Sequence, residues 1–114
     1  MMNSVETDRL ESKLENKYPV EVHIYENALR VRVSTIFIKK QDRNQGTGEQ
    51  VMREIQEYAA SVDKLVTLTA STSYGGHMTG LKRFYKRLGF KPNKGRNKDY
   101  RFRDTFIWAP ERTT

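Results

Sequence analysis

Cysteine is absent from this 114-residue chain, histidine occurs twice and tryptophan once. Without thiols there is no disulfide framework, no thiolate metal cluster and no cysteine nucleophile. His23 and His77 are too few imidazoles for a structural zinc site, so no metal is expected. Three prolines and seven glycines exclude a collagenous or low-complexity fibre. No apolar run approaches the roughly 20 residues that span a bilayer. Glu6, Asp8, Glu11 and Glu15 stand where a secretory signal would be basic and then apolar. What is present, 36% hydrophobic and 11% aromatic residues at a mean hydropathy of −0.82, suits one small domain over residues 1–114, expected to be soluble and cytoplasmic.

Charge is unevenly placed. Residues 1–30 net negative, whereas residues 82–103 carry Lys82, Arg83, Lys86, Arg87, Lys91, Lys94, Arg96, Lys98, Arg101 and Arg103 against Asp99 alone. Such a block attracts phosphates or acidic surfaces. Within it, Lys94–Arg103 interleaves basic residues with Tyr100 and Phe102, a pattern that suits stacking on the bases of a nucleic acid. The same pattern also suits rings facing a core while the charges face water.

Periodicity gives an alternating order of elements. Val5, Leu10 and Leu14 recur at helical spacing over 4–17, with Ser4 as a cap and Pro19 as a stop. Val20, Val22 and Ile24 alternate with polar residues, and Val31, Val33, Ile36 and Ile38 continue the pattern after a turn at Glu26–Ala28. The pair predicts an antiparallel hairpin, 20–26 with 29–38. Val51, Met52, Ile55, Tyr58, Ala59 and Val62 form one face of a helix over 47–61. Leu65–Ala70 predicts a buried strand. Leu81, Phe84, Tyr85 and Leu88 mark a second amphipathic helix, ended by Gly89. Phe90–Lys91 opens a short strand before Pro92, residues 94–99 a turn or mobile loop, and Tyr100–Trp108 a last strand. The expected fold class is therefore α/β, one mixed sheet with helices packed on it.

The junction of strand 31–38 with helix 47–61 carries Arg43-Asn44-Gln45-Gly46-Thr47-Gly48. Glycines there let the backbone approach a ligand closely, and the helix start adds about half a positive charge, an arrangement suited to a diphosphate. The dinucleotide fingerprint fails, because its third glycine would fall at Val51. The nucleotide-triphosphate loop fails too, because Gly75–Gly80 is followed by Leu81 and Lys82.

Arg43-x-x-Gly46-x-Gly48 after a hydrophobic strand, followed at the right separation by Phe84-Tyr-Lys-Arg-Leu-Gly-Phe90, resembles the GNAT superfamily, the Gcn5-related N-acetyltransferases. The resemblance covers about residues 31–108. It implies a GNAT-like acyl-CoA N-acyltransferase fold with a truncated N-terminal part, and transfer of the acetyl group of acetyl-CoA to an amine. It further implies that Ile36, Phe37 and Ile38 offer main-chain groups to the pantetheine arm. The amides of Asn44, Gln45, Gly46, Thr47, Gly48 and Glu49 would hold the diphosphate. Arg43, Lys82 and Lys86 would meet the outer phosphates. Tyr85 matches the family's general acid, although its spacing also suits core packing.

Strand 31–38 holds no carboxylate, which leaves Glu26, His23 and His77 as candidate bases. Met78 stands where the family often has asparagine. One weak helix replaces the first strand and two helices that usually precede the hairpin and build the acceptor pocket. The acceptor side is then either open, which suits a protein or another macromolecule, or completed by a homodimer. The rival function is a non-catalytic binding protein on the same scaffold, gripping nucleic acid or an acidic protein through residues 82–103.

Overall fold

Alternating apolar positions produce β1 (Val20–Glu26) and β2 (Arg30–Ile38), paired antiparallel in a register that runs from Val20–Ile38 to Glu26–Val31. The side chain of Asn27 fixes the turn between them by accepting the Leu29 and Arg30 N–H groups at 2.8 and 3.0 Å. The chain is a computed structural model that describes residues 5–42, 45–69 and 78–110. Ser4, Arg43, Asn44 and His77 lie outside the described residues. The remaining elements are α1 (Val5–Lys17), α2 (Thr47–Ser61), β3 (Leu65–Leu68), α3 (Met78–Arg87), β4 (Lys91–Pro92) and β5 (Phe106–Trp108), with 3₁₀ turns at Lys40–Asp42 and Gly95–Asn97.

The sheet order is β1-β2-β3-β5-β4, with β2 and β3 parallel and every other pair antiparallel. The β2–α2–β3 crossover thus forms the parallel centre of the sheet, and the mixed α/β sheet with helices packed on it is the one the order of elements predicts. Val22, Ile24, Val31, Val33, Val66, Leu68 and Phe106 join one buried cluster with Leu14 of α1, Val51, Met52, Ile55 and Ala59 of α2, and Tyr85 and Leu88 at α3. All three helices therefore feed a single core. The alternate strand positions, among them Glu21, His23, Tyr25, Arg30 and Arg32, point away from that core. Helix α1 is also fastened to α2: the Tyr18 hydroxyl donates to Glu54 Oε2 at 2.6 Å, and Lys17 Nζ donates to the same oxygen at 3.0 Å.

Helix α1 lies along the outer edge of β1. The carboxylates of Glu15 and Glu11, one helical turn apart, accept the N–H groups of Val22 and Ile24 at 3.0 and 2.7 Å. Those two amides are thereby satisfied without a further strand.

The last strand is shorter than expected, covering Phe106–Trp108 rather than Tyr100–Trp108. Buried Asn93 takes the backbone that a longer ladder would need. Its Nδ2 donates to the carbonyls of Asp99, Phe102 and Asp104 at 3.3, 3.2 and 3.0 Å, and its Oδ1 accepts the Asp99 N–H at 2.6 Å. Local side-chain bonds of this kind outcompete sheet pairing. Residues 94–99, expected as a turn or mobile loop, contain the second 3₁₀ turn. Among the described residues, no helix is long and apolar enough to cross a membrane.

Candidate active site

The ladder between β2 and β3 covers only Arg30–Val33 and Leu65–Leu68. Ser34–Ile38 of β2 runs on past that ladder, which ends among the described residues at Val33 and Leu68. In open α/β sheets, ligands enter at this place, the carboxyl ends of parallel strands. Ile36, Phe37 and Ile38 occupy the extended stretch and are half-buried.

From Ile38 the chain passes a 3₁₀ turn and enters α2 through Gly46, whose φ of +77° is the left-handed conformation that glycine adopts without strain. Gly46 is the N-cap and brings no side chain to the first-turn amides. The N–H groups of Thr47, Gly48 and Glu49 therefore lie at the positive end of the helix dipole without an intrahelical acceptor. Thr47 is buried, while Gln45 and Gly46 are exposed. A Cβ at Gly48 would lie 3.4 Å from Phe84 Cζ and 3.6 Å from Ile38 Cδ1. This glycine is where the end of β2, the start of α2 and the face of α3 come into van der Waals contact. The sequence predicts glycine here for ligand approach; a Cβ would make only ordinary van der Waals contact with Phe84 and Ile38.

Tyr85, the neighbour of Phe84, is 6% exposed. Its ring meets Phe84 and Phe90 edge-on at centroid distances of 5.2 and 5.8 Å, and Phe106 at 5.4 Å. Phe106 pairs with Leu68, the last residue of β3, so Tyr85 lies at the level where the β2–β3 ladder ends. Burial pushes its phenol pKa up, so the group holds its proton throughout the neutral range. The hydroxyl has no hydrogen-bond partner among the described residues. The side chain expected from the sequence as a general acid is thus also a packing residue of the core. Below it, Gln56 Nε2 of α2 donates to the Leu88 carbonyl at 2.9 Å, satisfying an orphan carbonyl at the end of α3 and joining the two helices.

Glu49, in the first turn of α2, sits between two guanidinium groups: Arg53 Nε at 3.5 Å and Arg87 Nε at 3.4 Å. Arg87 also lies over the Phe84 ring at 5.9 Å. The Glu49 carboxylate at the start of α2 is thereby answered by two cations. The spacing of Glu49 and Arg53, four apart on one helix, is the signal in the sequence that could have found half of this cluster. Lys82 and Lys86 are exposed and have no ion-pair partner among the described residues.

The candidate bases are placed unequally. Glu26 is at the end of β1 opposite Val31, remote from Ile38, and its carboxylate is taken by Thr7 Oγ1 at 2.7 Å, Tyr58 Oη at 2.5 Å and Lys64 Nζ at 2.5 Å. That geometry removes it from the end of the β2–β3 ladder. His23 pairs with Thr35, points away from the core, and has its Nε2 3.4 Å from Glu21 Oε2.

Residues 93–105 leave and re-enter the sheet at the same end, where the Asn93 N–H donates to the Thr105 carbonyl at 2.8 Å. Buried Asp104 accepts from Arg30 and Thr69, and pairs with Arg32 Nε at 3.2 Å. Phe102 is buried under Arg30, whose guanidinium is 4.7 Å from the ring centroid, whereas Tyr100 is 83% exposed.

A family model described as "Acetyltransferase (GNAT) domain" matches residues 15–92. No curated protein matches the chain. Among solved structures, the anti-CRISPR protein AcrVA5 superposes with a TM-score of 0.64 at 16% identity, over 80% of this chain and 90% of that one. A Tyr-to-Phe mutant of the AtaT toxin, bound to the C-terminus of the antitoxin AtaR and acetyl-CoA, superposes with a TM-score of 0.51 at 17% identity. That match covers 79% of this chain and 55% of the AtaT chain, so this chain spans about half of it. These two likenesses are of fold. The family match spans most of the chain, takes in the Gly46–Gly48 junction and Tyr85, and agrees with the parallel β2–β3 pair: the chain belongs to the GNAT acetyltransferase domain family.

Proposed function

We propose that the chain is an N-acetyltransferase that moves the acetyl group of acetyl-CoA to an amine by direct attack. The observation that carries this reading is the convergence at Gly48. Ile38 at the end of β2, the open amides of α2 and the Phe84–Tyr85 pair of α3 meet there. The AtaT structure with acetyl-CoA, a protein of the same fold, adds support.

The residues fit the co-substrate. The amides of Gln45, Gly46, Thr47, Gly48 and Glu49, with those of Asn44, suit a diphosphate. Arg43, Lys82 and Lys86 suit outer phosphates, and the main chain of Ile36, Phe37 and Ile38 suits the pantetheine arm. An amide near Ile38 would polarise the thioester carbonyl oxygen as it gains negative charge. As the C–N bond forms and the C–S bond breaks, Tyr85 would give its proton to the departing sulfur, a task suited to a phenol kept neutral by burial. The attacking amine must be neutral. For an alkyl amine of pKa near 10.4, freeing it at pH 7 costs about 4.6 kcal/mol. Water, His23 or a base outside the described residues would take its proton, since Glu26 is engaged elsewhere.

Calorimetric titration with acetyl-CoA tests the reading. Micromolar binding is expected for the wild type and its loss for Gly46→Glu, which puts a side chain and a negative charge at a left-handed N-cap. A folded wild type that fails to bind overturns the reading.

A further inference from the structure

We propose that residues 91–103 form a docking platform for single-stranded nucleic acid, with Tyr100 as the ring on which a base stacks. The inference is separate from the acetyl-transfer reading, because none of these residues belongs to the Gly46–Tyr85 site.

Three observations carry it. First, the segment is built rigidly. Asn93 clamps three carbonyls and one N–H, and Phe102 and Asp104 are buried anchors. Yet Tyr100, two residues from one anchor, leaves 83% of its surface in water. A pinned backbone that still presents a whole aromatic ring offers a flat apolar face at little ordering cost on binding.

Second, the segment that carries the ring is rich in cations that no carboxylate among the described residues answers. Lys98 Nζ is 5.3 Å from the Tyr100 centroid. Lys91, Lys94, Arg96, Lys98 and Arg103 are exposed, and none has an ion-pair partner among the described residues. Arg101 differs: Asp99 holds its guanidinium at 2.7–3.1 Å, and it lies 5.1 Å from the buried Phe102 ring. The one acidic residue of the segment is therefore spent on positioning, and the net field over the platform is positive.

Third, an open groove of about 690 Å³ runs beside the loop, lined by Lys91 and Lys94 together with the Asp99–Arg101 pair that flanks Tyr100 in the sequence. A ring flanked by a cation-lined track is the arrangement that follows a sugar-phosphate backbone while an unpaired base stacks. An acidic protein would use the cations and leave the ring without purpose. A duplex keeps its bases stacked on each other and leaves the ring equally unused.

The test is fluorescence anisotropy with labelled oligothymidylate and oligouridylate of about 15 nucleotides, beside a duplex and poly-glutamate as competitors. Both single strands are expected to bind the wild type more tightly than the duplex does. Tyr100→Ala should weaken single-strand binding by about tenfold or more and leave duplex binding unchanged. Arg103→Gln should instead lower the salt dependence by about 0.7 in log–log slope. Preference for one of the two strands assigns the platform to DNA or to RNA. Wild-type-like affinity in Tyr100→Ala overturns the proposal, as does poly-glutamate competing as well as the oligonucleotides. Unchanged acetyl-CoA binding by Tyr100→Ala serves as the control for folding and keeps this test apart from that of the acetyltransferase reading.

Discussion

The face of the sheet that carries the helices and the face that carries residues 93–105 belong to the same strands but are held by different forces. On the first, Val31, Val33, Val66 and Leu68 bury against Val51, Met52, Ile55 and Tyr85, and area removed from water does the stabilising. On the second, Arg30 and Arg32 share Asp104, Thr69 adds a hydroxyl, and Asn93 orders the backbone by hydrogen bonds. The apolar face tolerates a buried tyrosine whose hydroxyl has no hydrogen-bond partner among the described residues, which suits the donor role proposed for it. The polar face tolerates no such vacancy, because each buried charge there depends on the others.

Substitutions should separate the two. The largest effect is expected at Tyr85→Phe, which keeps the ring packing and removes the proton donor. Under the proposed mechanism kcat should fall by about 10²–10⁴-fold while the denaturation midpoint stays near that of the wild type. The raised phenol pKa also places the alkaline loss of donor activity above about pH 10, the ordinary tyrosine value. Turnover like the wild type would remove Tyr85 from the acid role.

Asp104→Ala should do the reverse. Removing the carboxylate leaves two guanidinium groups, one of them largely buried, without their partner and should cost about 3–5 kcal/mol in urea unfolding. Adding Arg30→Met should recover part of that loss. A change below about 1 kcal/mol would mean that the ion cluster stabilises the fold no more than a surface pair does.

The smallest effect concerns the link between α1 and α2. The Tyr18 hydroxyl, and then Lys17, hold the Glu54 carboxyl below its ordinary range. A carboxylate favoured in the folded state stabilises above the unfolded pKa of about 4.3 and loses that contribution as pH falls through the lower folded value. The melting difference between wild type and Glu54→Gln should therefore be constant near neutrality and shrink below about pH 4. A difference independent of pH would place the effect in packing.

The contrast between the faces also explains what could be read in the sequence. Period-two and helical spacing mark the hairpin, α2 and α3 because their apolar residues are local to each element, and the paired motifs at Gly46 and Phe84–Phe90 carried the family. The start of β5 falls later than the sequence predicts because Asn93 and Asp99 capture backbone groups up to eleven residues away, and no periodicity records such capture. Asp104 finds Arg30 across 74 positions and is invisible in a segment that reads only as basic. The Glu49–Arg87 contact is hidden for the same reason.

Edges decide whether a sheet ends or recruits more chain. On β1, Glu11 and Glu15 of α1 stand in for the carbonyls of a missing neighbour, so a helix imitates half of a strand. A stand-in of this kind offers acceptors but no donors of its own in return, and so it closes the border without inviting another molecule to continue it. Helix α1 thus ends the sheet at β1 with carboxylates where another strand would bring carbonyls.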